Sequence, residues 1–140
     1  MAGLTLTVVS PEREVLREDD IEMVVAPGID GELGLMPRHA PLVTQLQAGT
    51  LRYRSGGDER FLTILGGFLQ VMQDTVTVLA DGSERSDEID VERAERARAE
   101  ALRELEEARV GGDDATVIRA RLALLRALAR IRTAQRAGRG

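Results

Sequence analysis

Cysteine is absent from this chain, which excludes disulfides and thiolate metal sites and leaves the redox compartment open. With His39 as the single histidine, a zinc site built on several imidazoles is disfavoured. Lysine is missing too: all nineteen basic residues are arginine, a bias that a GC-rich genome or selection for heat would each produce. Only Tyr53, Phe61 and Phe68 are aromatic, whereas single-stranded nucleic-acid binders usually need aromatic stacking platforms. No apolar run is long enough to span a bilayer, and the start, Met1-Ala2-Gly3-Leu4-Thr5-Leu6, reads as a strand rather than a signal peptide. Direct membrane insertion is not expected, so work at a membrane requires another subunit to hold the chain there.

Catalytic patterns are scarce as well. There is no Walker A sequence, and Gly28-Ile29-Asp30-Gly31-Glu32-Leu33-Gly34 has neither the dinucleotide spacing nor a following helix. No serine sits in a recognised nucleophile motif. Asp19-Asp20 and Glu106-Glu107 read as surface carboxylates, not a glycosidase pair. A histidine without a cysteine or second histidine favours a structural role for His39 over a catalytic one. The chain is expected to be noncatalytic, with no required cofactor and no metal.

What is present divides in two. The 140 residues suit one domain, or one small domain with an appendage. Residues 1–87 carry 7 Arg and 14 acids, net −7; residues 88–140 carry 12 Arg and 10 acids, net +2; together these make the −5 of the chain. Residues 115–140 hold seven arginines and no acid, so that end should prefer an acidic surface or a phosphate.

The first half alternates with period two. Leu4, Leu6 and Val8 share a face, and similar runs recur at Ile21–Ala26, Leu42–Leu46, Leu51–Arg54, Arg60–Leu65, Phe68–Met72 and Thr75–Ala80. Turn signals separate them: Pro27-Gly28, Ala48-Gly49, Ser55-Gly56-Gly57-Asp58 and Gln73-Asp74. About ten short strands with no helical pattern between them predict a β-sandwich or flattened barrel over residues 1–84. Gly66-Gly67 inside a run predicts a bulge or a close backbone approach. Residues 85–89 read as a linker, within the polar stretch Asp81–Glu88.

Residues 90–140 read as an antiparallel two-helix hairpin. Asp90 is placed to cap the first helix, whose inward face is Ala94, Ala97, Ala101, Leu105 and Ala108. Glu92–Arg96, Arg96–Glu100 and Arg103–Glu107 are i,i+4 pairs on its wet side. Gly111-Gly112 stops that helix, Asp113 or Asp114 caps the next, and the second runs to about Arg136. The second helix has two apolar stripes, Ile118-Leu122-Leu125-Ala129 and Val117-Leu124-Leu128-Ile131. The first helix covers only one of them; the other must meet the sandwich or another protein.

Two motifs carry a family resemblance. Gly31-Glu32-Leu33-Gly34-Leu35-Met36-Pro37-Arg38-His39-Ala40-Pro41 packs two glycines and two prolines around a short apolar centre, the composition of a shaped loop between strands. It resembles the signature loop of the epsilon subunit of F-type ATP synthases, Gly-x-x-Gly-(Ile/Leu)-x-Pro-x-His-x-Pro. Ile89-Asp90-Val91-Glu92-Arg93-Ala94 resembles the same family's Ile/Leu-Asp-x-x-Arg-Ala motif. The resemblance spans nearly the whole chain in order and spacing.

That resemblance implies a subunit peripheral to a bacterial membrane on its cytoplasmic side. It implies that the sandwich binds the gamma subunit and sits on the c-ring, with Glu32 and His39 at that contact. The hairpin would be regulatory: extended, its arginines Arg119, Arg121, Arg126, Arg130 and Arg132 would meet the alpha and beta subunits and brake hydrolysis. It further implies a site for ATP as a regulatory ligand when the hairpin is folded down, formed by Glu84, Asp90, Arg93, Ala94, Arg126 and Arg130. Where relatives that bind ATP well have a further arginine in the first helix, this chain has Glu100; Arg96, Arg98 or Arg103 would have to compensate. Two other readings stand beside this one: a structural stalk adaptor whose hairpin never opens, and a nucleic-acid binder using its basic helix, against which the acidic sandwich argues.

Overall fold

The computed structural model describes residues 3–139; of the expected strand start, Met1 and Ala2 lie outside the described residues. Among the described residues eight strands are formed: β1 (Leu4–Val9), β2 (Glu14–Ile21), β3 (Met23–Gly28), β4 (Gly31–Leu35), β5 (Leu42–Ser55), β6 (Asp58–Met72), β7 (Thr75–Ala80) and β8 (Ser83–Arg85). One 3-10 turn, Ser86–Glu88, leads to helices α1 (Val91–Gly111) and α2 (Asp114–Arg136).

Sandwich and hairpin stand, but the number of strands does not. Eight replace about ten because neighbouring runs join into long strands: Ala48-Gly49, expected as a turn, lies within β5, and Gly66-Gly67, expected as a bulge or close approach, lies within β6. Gly49 makes room and does not turn the chain, since a Cβ there would lie 2.7 Å from the Pro27 Cβ. At Gly66 and Gly67, φ is 96° and 135°, and a Cβ on Gly67 would run into the Leu79 carbonyl oxygen. This is the close approach the glycine pair predicts. Three strands were not expected: β2, β4 and the short β8, which lies in the polar stretch read as leading into the linker. β2 reads as charged because its outward side chains are solvated, while Val15 and Ile21 are buried. Gly31–Leu35, expected as loop, pairs with β3 as β4, and only residues 36–41 remain irregular.

The hydrogen-bonded order is β2-β1-β7-β6-β5-β3-β4, with β8 also on β6. β5 and β6 pair along their whole length, from Leu42↔Val71 to Ser55↔Asp58. β7 takes the second half of β6, Gly67 to Met72, whereas β8 takes Leu62 to Ile64 and β3 pairs mainly with Arg52 to Arg54 of β5. The sheet therefore folds over on itself near Gly66, and its halves become the two layers of the sandwich. Leu4, Leu6, Ile21, Val24, Leu51, Ile64, Leu69 and Val76 fill the space between, all fully buried. Every residue of that core cluster comes from the strands and none from the helices.

The hairpin is capped as its sequence predicts. The Asp90 carboxylate accepts the Arg93 N–H at 3.1 Å, and Asp113 accepts the Thr116 N–H at 3.2 Å. The Thr116 Oγ1 hydroxyl, donating to Asp113 at 2.7 Å, and that N–H bond hold the Asp113 carboxyl below its usual range. Gly112 ends α1 in the left-handed conformation, φ 72°. The helices approach on small side chains: buried Ala94, Ala101 and Ala108 on α1, and Ala120, Ala127 and Ala134 on α2. Both series repeat every seven residues, which keeps them level in an antiparallel pair. Ala97 is exposed and Leu105 only half-buried, so the expected inward face is narrower than drawn. Of the three expected i,i+4 pairs, Arg103–Glu107 forms, at 3.8 Å, among the described residues.

Only the end of α2 is seated on the sandwich. Thr133 Oγ1 donates to the Ala129 carbonyl at 2.9 Å, so Thr50 Oγ1, 2.7 Å away, is the donor in the buried pair between sheet and helix. Arg130 Nε donates to Glu84 at 2.8 Å, and the Arg136 guanidinium lies 5.6 Å from the Phe61 ring centre. Upstream, Ile118, Leu122 and Leu125 are 61%, 51% and 48% exposed. The first apolar stripe thus lands on protein at Ala129 and stays open over its preceding turns; the second is half-buried at Val117, Leu124 and Leu128 and buried at Ile131.

Candidate functional site

A cleft of about 340 Å³ opens where the sandwich, the linker and both helices meet. β8 contributes Glu84, the 3-10 turn Glu88, and the start of α1 Asp90, Arg93, Ala94 and Ala97; α2 contributes Arg130. The volume is at the small end of the range of about 300–1,000 Å³ for small-molecule sites. Five of the six residues expected to hold a nucleotide therefore line one cleft. Arg126 is not among them; it is exposed about one turn before Arg130. Glu100 does not line the cleft either.

Charge in the cleft is already partly spent. Glu84 is paired with Arg130. Glu88 receives both Nη atoms of Arg13, at 3.2 and 2.9 Å, and the Arg85 N–H at 2.9 Å. The Arg13 bonds hold the Glu88 carboxyl below its usual range, and Glu88 in turn raises Arg13. Among the described residues the Arg93 guanidinium makes no hydrogen bond or ion pair, which leaves it as the ready donor to an anion. Its planar fork suits a phosphate oxygen pair. Sequence reasoning missed Arg13 and Glu88 as one unit; they are 75 residues apart and nothing local marks them.

Glu32 and His39 have separate partners. Glu32, on β4 beside the Gly28–Gly31 turn, faces Arg136 at 3.9 Å. His39 lies past the other end of β4, in a loop tied to the β6–β7 turn by the Arg38 N–H on Asp74 at 2.6 Å. Backbone strain collects there: Arg38, Gln73 and Asp74 all have positive φ, at 69°, 49° and 58°. Nδ1 of His39 is 2.7 Å from the Ala40 carbonyl oxygen, which only accepts, so Nδ1 carries the proton and Nε2 is left for another partner. Among the arginines of α2, Arg119, Arg121, Arg126 and Arg132 are exposed and Arg130 is half-buried. A larger cavity of about 580 Å³ lies elsewhere, between Tyr53, Phe61, Arg85 and Arg136, and contains none of the expected site residues. Burial, with Glu18 alongside, pushes the Tyr53 phenol up, so it stays protonated.

Fold and cleft together define a β-sandwich protein with an appended helical hairpin and a mixed-charge cleft at their junction. Residues 3–86 match the family model of the ATP synthase delta/epsilon chain β-sandwich domain, and residues 87–135 that of its long α-helix domain. The ATP synthase epsilon chain of Moorella thermoacetica is 50% identical over 96% of this chain and 98% of its own length. That of Desulforamulus reducens is 47% identical over 93% and 96%. A chain in the cryo-EM structure of the Euglena gracilis mitochondrial ATP synthase, OSCP/F1/c-ring, shares the fold, with a TM-score of 0.80 at 24% identity over 99% of this chain and 82% of that one. The chain belongs to the ATP synthase epsilon chain family. No helix among the described residues is long and apolar enough to cross a membrane.

Proposed function

We propose that this chain turns with the central stalk of a bacterial F-type ATP synthase, couples proton flow to ATP synthesis, and brakes ATP hydrolysis through its hairpin without catalytic residues of its own. It would be held at the cytoplasmic face of the membrane by its partners. The observation that carries the regulatory part is the seat of α2: the sandwich core closes without the helices, and the helix rests on it through threonines, alanines and charged groups. A helix so seated leaves behind a surface that water solvates.

The outer face of β5, β6 and β7 supports a gamma-subunit partner. Val43, Phe68, Leu79 and Met72 are 71%, 54%, 57% and 49% exposed there, an apolar patch suited to burial against protein. Glu32 and His39 remain the proposed c-ring contacts, with Ile29 and Met36 exposed near them in the chain. When extended, the arginines of α2 and the open Ile118-Leu122-Leu125 stripe would meet the alpha and beta subunits. ATP would enter the cleft as a regulatory ligand, its phosphates taken by Arg93 and Arg130, with Arg126 swinging in. Three carboxylates at the rim make this a weak site. Bound only to the folded hairpin, ATP at a hundredfold excess over Kd would stabilise it by about 2.7 kcal/mol.

Adding the full chain, or a truncation ending at Asp87, to the matching catalytic head stripped of this subunit tests the reading. Hydrolysis should fall with the full chain and not with the truncation, although both bind. Binding without inhibition by either form would favour the purely structural adaptor.

A further inference from the structure

We propose that Arg139 is a latch that clamps the hinge between sandwich and hairpin. α2 ends at Arg136, and the residues after it turn the chain back. Gly138 is left-handed, φ 84°; its N–H meets the Gln135 carbonyl at 3.0 Å, and the Arg139 N–H meets the Ala134 carbonyl at 2.7 Å. These two bonds around a left-handed glycine make a Schellman close. It aims the Arg139 side chain at the linker, where Nη1 donates to the Ser86 carbonyl at 2.5 Å and to the Ile89 carbonyl at 2.8 Å.

Those two carbonyls bracket the single turn between the domains. The turn's own bond, Ile89 N–H to Ser86, is long at 3.5 Å, so the charged donor is the stronger partner of the Ser86 oxygen. Ile89 is buried and Asp90, the cap of α1, follows it. The far end of α2 and the root of α1 are thereby tied to one point. The hairpin has to release both bonds before residues 86–90 rotate on their own. The functional meaning of the latch rests on the proposed mobility of the hairpin, but its test does not use the ATP synthase.

Hydrogen exchange on the full chain tests it. In Arg139→Ala, amides of residues 86–90 and of the last two turns of α2 should exchange on the order of fivefold faster, the loss expected for two partly exposed hydrogen bonds. Amides of β1 and β6 should keep their rates. Gly138→Ala should give the same pattern, because alanine resists the left-handed φ. Unchanged exchange in the linker and α2 would overturn the latch, and so would equal acceleration of β1 and β6. If Arg139→Ala opens the hairpin while full-chain inhibition of the catalytic head is unaltered, the latch holds and the brake reading fails.

Discussion

The interior of the sandwich and the seat of α2 on its outside are packed by different chemistry. Inside, leucines, isoleucines and valines from both layers exclude water completely. At the seat, a threonine pair, a partly exposed ion pair, an arginine over a phenylalanine and small alanines share the contact. Buried apolar surface is worth roughly 25 cal/mol per Å², whereas exposed polar contacts give about 1 kcal/mol each or less. The lesson is one of separable stabilities: the first region makes a fold, and the second makes a position. The buried Oγ atoms of Thr63 and Ser83, which find no partner among the described residues, belong with the second region's style. Thr63 pairs across the strands with Thr50, under α2, on a face that is polar where a permanent core would be apolar.

Breaking the first region should have the largest effect. Leu69→Ala should cost about 3 kcal/mol of sandwich stability in urea unfolding, as a fully buried leucine. Next comes the cleft: Arg130→Ala should weaken the ATP binding proposed for it by about 2 kcal/mol, roughly thirtyfold, in calorimetric titration, since it removes a charged donor. Unfolding of the sandwich core should hardly register it. Thr133→Val should loosen the docked helix by about 1 kcal/mol, read by exchange in α2, because it strands the buried Thr50 hydroxyl; adding Thr50→Val should recover most of the loss.

The smallest effect is electrostatic. Glu88 is held below its unfolded pKa, so its contribution to pinning the linker is complete above the ordinary carboxylate value, about 4.3, and fades as pH falls through the lower folded value. The amide shift of Arg85, whose N–H Glu88 accepts, should report that midpoint between pH 6 and 2. Arg13→Ala should move the midpoint upward.

The hairpin was almost wholly legible, because its signals are local: an aspartate at each cap, a left-handed glycine between, and alanines spaced for one face. The strands were less so. β2 hid behind the charges of its solvated side, a common dress for an edge strand, and β8 behind a polar sequence whose backbone completes the pairing of β6. β5 read as two strands because glycine signals both turning and close approach, and only the neighbour Pro27 decides for Gly49; Gly66-Gly67 in β6 already pointed to a close approach, without showing that Leu79 makes it. At the cleft, the motif residues around Asp90 were readable in sequence. The Arg13–Glu88 pair and the Arg139 clamp were not, since each joins segments at least fifty residues apart.

A chain without cysteine allows one bond to test the separation of these regions. The 2.7 Å contact between the Thr50 and Thr133 hydroxyls puts their Cβ atoms near disulfide reach. Thr50→Cys with Thr133→Cys should inhibit ATP hydrolysis by the matching catalytic head when reduced, and should bind without inhibiting when oxidised. Equal inhibition in both states, with the bond verified, would contradict a brake that works by leaving its seat.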